Sequence, residues 1–156
     1  MSAREDTPPA ERVRDLLEHV NEALNLDADV EIVEEPDRIR GILHGDDVGL
    51  FIGRHGQTID AVQHLAFKVA AHGQSPAPKV EVDAAGYRER RRVALERQAD
   101  QAASDAVRSS RPVALDAMSA TERKVVHEYL KDRDDVETYS EGTEPDRHLV
   151  VAPLRA

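Results

Sequence analysis

Ile52-Gly53-Arg54-His55-Gly56-Gln57-Thr58-Ile59-Asp60-Ala61-Val62-Gln63 is the stretch on which the reading of this chain turns. Two glycines three apart let the backbone follow a tight path with no Cβ in the way, so another polymer's backbone can approach closely. Behind them Ile59, Val62, Ala66, Val69 and Ala70 recur at helical spacing, which predicts a helix ending near Gly73. A helix N-terminus presents unpaired N–H groups and a positive dipole end, an environment that suits anions. Arg54 adds a cation there and His55 a hydrogen-bonding ring. By itself Gly-x-x-Gly is also the mark of a plain helix–helix turn, so the elements around it decide. Since a loop contributes little core, Asp at both Gly53 and Gly56 is expected to repel phosphates while leaving the thermal midpoint nearly unchanged.

Towards the N-terminus, Val13, Leu16, Leu17, Val20 and Leu24 mark an amphipathic helix from about Pro9 to Asn25, with Pro8 and Pro9 suited to its start. Val30–Glu35 alternates as a half-buried strand, Glu35-Pro36-Asp37 is turn chemistry, and Arg38–His44 reads as a second strand. Val48–Ile52 is a short helical turn. Towards the C-terminus, Gln74–Pro78 is a loop and Lys79–Asp83 a third strand. The order is thus helix, strand, strand, helix, helix, strand. Ala84–Ser109 contains no proline and reads as one long helix, with Leu95, Ala99, Ala102, Ala106 and Val107 at helical spacing. Val113–Leu115 is strand-like. Ser119-Ala120-Thr121-Glu122 fits a capping box that opens a helix running to about Lys131. Val136–Ser140 and His148–Val151 read as strands joined by the turn-rich Glu141–Asp146. The expected fold class is α+β, two small modules bridged by a long helix.

Composition removes several functional classes. The 156 residues contain no Cys, which excludes disulfides, thiolate metal sites and Cys nucleophiles together. No apolar run approaches a membrane span, and Met1–Asp15 has no apolar segment of a secretory signal, so a soluble cytoplasmic protein with no membrane insertion is expected. His44, His55, His64, His72, His127 and His148 are scattered, with no metal-ligand spacing, so neither metal nor cofactor is expected. The chain also lacks a Gly-x-Ser-x-Gly elbow and a phosphate-binding Gly-x-x-x-x-Gly-Lys loop, and no enzyme is expected. The net charge of −10 opposes polyanion binding, but its distribution is uneven. Residues 1–37 hold 3 basic and 12 acidic side chains, residues 38–95 hold 9 and 6, and residues 96–156 hold 9 and 13. Phe51, Phe67, Tyr87, Tyr129 and Tyr139 are the only aromatics, too few to build a base-stacking sheet.

With Gly53-Arg54-His55-Gly56 in that element order, residues 10–84 resemble a KH domain of the bacterial type (type II, α-β-β-α-α-β), whose extra helix and strand precede the core. The resemblance implies that Gly53, Arg54, His55 and Gly56 contact about four nucleotides of a single strand, with Ile52 and Ile59 in the core or groove wall. Further on, Arg123 and His127 stand four apart on one helix face with Lys124 and Lys131 nearby, a pattern that is also that of an ordinary solvated face. Leu115–His127, Val136–Gly142 and Pro145-Asp146-Arg147 are nevertheless similar to the R-3-H domain, a small α/β module related to binders of single-stranded nucleic acid. That match covers about residues 93–153, within a second domain expected at 93–156, and implies roles for Arg123, Lys124, His127 and Arg147. In that role Arg123 is the fixed cation on phosphate.

Between the two lies Gly86-Tyr87-Arg88-Glu89-Arg90-Arg91-Arg92. Arg88, Arg91 and Arg92 fall at i, i+3 and i+4, a stripe that either neutralises phosphates or pairs with neighbours such as Glu96. A bacterial-type KH module, this junction within a linking helix at 85–110, and an R-3-H module together resemble the Jag (SpoIIIJ-associated, KhpB-like) family. Residues 1–9 are expected to form a disordered acidic tail. The resemblance implies a non-catalytic protein that binds single-stranded RNA, or single-stranded DNA, with a KH-only protein or a second copy as partner. The role it implies is that of a post-transcriptional regulator or RNA chaperone bearing on cell elongation, division and envelope biogenesis. The alternative is a protein-interaction scaffold at the membrane-protein insertase. Arg54, Arg88, Arg91, Arg92, Arg123 and Lys124 offer three to five phosphate contacts by this reading, hence a log–log salt slope of about −2 to −3.5.

Overall fold

The computed structural model describes residues 7–155, which fall into two compact units divided between Arg88 and Glu89. The expectation for residues 1–6 lies outside the described residues. Pro9, read both as the start of the first helix and as the last residue of the tail, is helical.

The first unit runs α1 (Pro9–Ala23), β1 (Asp29–Glu34), β2 (Arg38–His44), α2 (Gly49–Ile52), a 3-10 turn (Arg54–Gly56), α3 (Gln57–Ala71) and β3 (Lys79–Ala84). Its sheet has the order β1-β2-β3, with β1–β2 antiparallel and β2–β3 parallel. Helix α1 begins without a side-chain cap, but Pro at its first position has no N–H to satisfy. It buries Ala10, Val13 and Leu17 beside Ile59, Val62, Ala66 and Ala70 of α3. Ile39, Leu43, Phe51, Val82 and Ala84 complete the interior. Arg12 fastens α1 to the far end of α3, because its Nη1 donates to the carbonyls of Val69 and His72, both at 2.8 Å. Those carbonyls lie where a helix runs out of its own donors, so a cation there satisfies both charge and hydrogen bonding. At the opposite end of α3 lies the Gly-x-x-Gly turn.

The second unit contains nearly all of α4 (Tyr87–Ser109), then β4 (Val113–Ala114), α5 (Ala120–Leu130), β5 (Val136–Glu141) and β6 (His148–Pro153). The sheet order is β4-β6-β5, all antiparallel, with four consecutive buried residues in the central strand β6. Helix α4 buries Leu95 and then only alanines, Ala99, Ala102, Ala103 and Ala106. The core there also takes in Met118, Val126, Leu130, Val136, Leu149 and Val151. The expected cap is present, for Ser119 Oγ accepts from the N–H of Glu122 at 3.2 Å. Arg91 joins α4 to α5 through a two-pronged pair with Glu122, at 2.7 and 3.1 Å.

The α+β class and both element orders match the sequence reading. One boundary moves. The sequence starts the long helix at Ala84, yet Ala84 is the last residue of β3, and Ala85 (φ 49°) with Gly86 (φ 69°) turns the chain before α4 starts at Tyr87. Alanine has no propensity against a helix, so only the pairing of Leu43 with Ala84 across the sheet reveals the strand. Among the described residues no helix is long and apolar enough to cross a membrane.

Candidate nucleic-acid interface

At the start of α3 the glycines are held by their own neighbours. Gly53 has φ 74° and Gly56 φ 77°, conformations that a Cβ disfavours. A Cβ on Gly53 would stand 2.2 Å from Thr58 Oγ1 and 2.9 Å from the Thr58 backbone nitrogen. One on Gly56 would stand 2.6 Å from the Tyr87 hydroxyl and 3.0 Å from its ring. The expectation that Asp at both positions leaves the thermal midpoint unchanged is therefore corrected: Gly56 is buried, and both positions are required by packing within the fold. What the turn presents outward is Arg54 and His55, both exposed and, among the described residues, without a hydrogen bond or ion pair. His55 itself sits at φ 54°, a left-handed conformation uncommon for a residue with a side chain.

The arginine stripe is occupied. Arg88 donates through Nε to Val82 O, through Nη1 to Asp60 and through Nη2 to Gln63, each at 2.9 Å. Arg91 is half-buried against Glu122. Arg92 lies between Glu89 and Glu96 on its own helix, which raises its pKa, chiefly through the hydrogen bond to Glu89. That same bond holds the Glu89 carboxyl below its usual range. Of the two readings of the stripe, ion pairing describes all three side chains.

In the second unit, α5 and β5 enclose an open cleft of about 390 Å³. Arg123, Lys124 and His127 from α5, Thr138 and Tyr139 from β5, and Arg147 before β6 line it. The sequence-marked residues thus converge, but in different states. Arg123 is 8% exposed, its Nη1 donating to Met118 O at 2.6 Å and its Nη2 to Glu144 Oε1 at 3.1 Å. It faces the cleft as a held group, not a free arm. Arg147 donates to Gly142 O at 2.6 Å, bracing the β5–β6 loop. His127 shares a hydrogen bond of 2.5 Å with Thr138 Oγ1, while exposed Lys124 makes no hydrogen bond or ion pair among the described residues. Tyr139, 45% exposed at the same cleft, is not singled out by the sequence reading. The signal available is its alternation with the buried Val136 side of β5. Phosphate-sized anions and one exposed aromatic face fit this chemistry; among the described residues no group of three or more His, Asp or Glu is placed to hold a metal.

Residues 10–83 match the KH-domain family of KhpA/KhpB, and residues 93–153 match the R-3-H domain family. The chain is 37% identical over 143 residues to the RNA-binding protein KhpB of Clostridium symbiosum, covering 90% of this chain and 64% of that protein. It is 41% identical over 104 residues to the RNA-binding protein KhpB of Lactiplantibacillus plantarum, covering 67% of this chain and 32% of that protein. The protein of the same name from Bacillus subtilis is 29% identical over 153 residues, covering 97% and 74%. This chain therefore spans just under two thirds of one of these relatives and a third of another. With a KhpA/KhpB-type KH domain placed before an R-3-H domain, and KhpB relatives aligned along nearly all of its length, the chain belongs to the Jag/KhpB-like family.

Proposed function

We propose that this chain binds single-stranded RNA, without catalysis, through two sites: the Gly53–Gly56 turn and the α5–β5 cleft. The observation that carries the reading is the state of Arg54 and His55, an exposed cation and imidazole on a fixed turn at the head of α3, with no partner among the described residues. In the cleft Lys124, His127 and Tyr139 offer the same combination of donor and aromatic face. The names of the KhpB relatives support RNA as the polymer. The reading extends, on the family resemblance, to a cytoplasmic post-transcriptional regulator or RNA chaperone bearing on cell elongation and division. Titration of labelled single-stranded RNA and DNA at two salt concentrations tests it. Saturable, salt-weakened binding that Arg54→Ala reduces is the expected result, and its absence leaves a protein scaffold as the better account.

A protein partner is favoured by a separate observation. Leu50 is 66% exposed and Leu65 52% exposed, with Phe67 also open to solvent, all on α2 and α3 of the KH unit. Isolated apolar side chains on a surface are ordinary, but three on two neighbouring helices suit a KH-only protein or a second copy. Sedimentation of the full chain, alone and with a KH-only protein, distinguishes these from a monomer.

A further inference from the structure

The Gly86-Tyr87-Arg88 segment follows a strand and opens a helix, and one of the two sequence readings aims its cation at phosphate. Its contacts lead elsewhere. The Tyr87 ring lies directly against Gly56, so close that a Cβ at that position would fall 2.6 Å from the hydroxyl. Arg88 uses three separate nitrogens on Val82 O, Asp60 and Gln63. Asp60 and Gln63 sit in the first two turns of α3, immediately behind the Gly-x-x-Gly turn. Gln63 Oε1 also accepts from the Val82 N–H at 2.9 Å, and Asp83 Oδ1 accepts from the N–H groups of Ala84 and Arg88. Every polar bond in this set ends on β3, α3 or the first turn of α4, all within the first unit.

We propose that Tyr87 and Arg88 are positioning residues for the Gly53–Gly56 loop: Tyr87 is the backstop that keeps Gly56 in its left-handed conformation, and Arg88 locks the head of α3 to β3. This rests on the RNA-binding reading of the loop. An anion is gripped by preset N–H groups and side chains only while the loop holds its shape, and a loop competent for part of the time binds weaker by that fraction. A loop competent a tenth to a fifth of the time would lose about five- to tenfold in affinity.

The test uses the full chain, a fluorescein-labelled random-sequence single-stranded RNA, and amide hydrogen exchange. Tyr87→Ala is expected to weaken binding about five- to tenfold and to speed exchange at Arg54, His55 and Gly56, whereas Tyr87→Phe, which keeps the ring, retains both. Arg88→Ala is expected to weaken binding with the salt slope unchanged. A phosphate ligand would instead flatten that slope by about 0.7. Asp60→Ala supplies a sign: freeing Arg88 from its carboxylate tightens binding if Arg88 meets phosphate and weakens it if Arg88 is a lock. Unchanged affinity and exchange in Tyr87→Ala, a flattened slope in Arg88→Ala, or tighter binding by Asp60→Ala each overturns the proposal while leaving RNA binding intact. If Tyr87→Ala does not fold, the Arg88 and Asp60 variants decide. If the unsubstituted chain does not bind the RNA at all, the RNA reading fails, and the positioning role with it.

Discussion

Arg123 carries a full charge at 8% exposure, and its two bonds explain how. One nitrogen satisfies the Met118 carbonyl before α5, and the other reaches the Glu144 carboxylate of the β5–β6 loop. Arg123→Ala is therefore expected to cost about 1–3 kcal/mol of stability, from the stranded carbonyl and the loosened loop, measurable by urea denaturation. Glu144 is mostly exposed and occupies the anion position on Arg123 that a phosphate would take. Glu144→Gln should raise RNA affinity up to about fivefold, since an exposed ion pair is worth up to about 1 kcal/mol. Weaker binding by that variant would mean that Glu144 shapes the cleft instead of competing for it. Glycines offer a paired prediction. Gly53→Ala should cost about 1–3 kcal/mol for its left-handed backbone, with the Thr58 contacts added to that. Gly49→Ala, within α2 and with nothing within 4 Å of its Cβ, should be neutral or stabilising. Thermal melts of the two variants side by side check this.

Elements were legible in the sequence to the extent that their causes are local. The apolar periods of α1 and α3, the Ser119 cap and the Arg92–Glu96 spacing all act within one or two turns, and each is present. The start of α4 escapes the sequence because Ala84 is a strand residue only by virtue of β2. The candidate site divides in the same way. Arg54 and His55 stand out from the Gly-x-x-Gly pattern, but the side-chain partners that occupy Arg88, Arg91 and Arg123 lie 21 to 31 residues away. A helical stripe of arginines looks the same whether it faces solvent or Asp60 and Glu122. Local ion pairs at the end of α5 also set a pH dependence. Glu128 is held below its ordinary 4.5 by the hydrogen bond from Lys131, and Asp135 below its ordinary 3.8 by Arg133. A carboxyl with a depressed folded pKa contributes stability above its unfolded value and loses it as pH falls through the folded one. The melting temperature should accordingly decline below about pH 4.5, and Asp135→Asn should blunt the decline below 3.8, as followed by circular dichroism.

For the whole molecule, the ion pairs change the charge available to a polyanion. Of the cations marked in the sequence, Arg88, Arg91, Arg92 and Arg123 are engaged internally, which leaves Arg54, Lys124 and the half-exposed Arg147. Three contacts predict a salt slope near −2 for a single strand, the shallow end of the range expected from composition. A slope steeper than −3.5 would show that the internal pairs open on binding. Lys124→Ala should cost more affinity on strands long enough to engage both sites than on tetranucleotides, because the second site then acts at high effective concentration.

Among the described residues the two hydrophobic interiors share none: Leu17 and Phe51 belong to one, Leu95 and Val151 to the other. A chain built this way is expected to unfold in two transitions, not in a single all-or-none one. Leu17→Ala, costing about 2–5 kcal/mol in a closed core, should lower one calorimetric transition and leave the other in place. For inheritance, this sets missense alleles apart from deletions. A deletion removes the protein, whereas a lesion in one interior leaves half of it folded, able to occupy a ligand of the surviving module and unable to complete the grip. Such alleles should interfere with a wild-type copy in the same cell, and interference of that kind is a genetic signature that a chain with one shared interior would not produce.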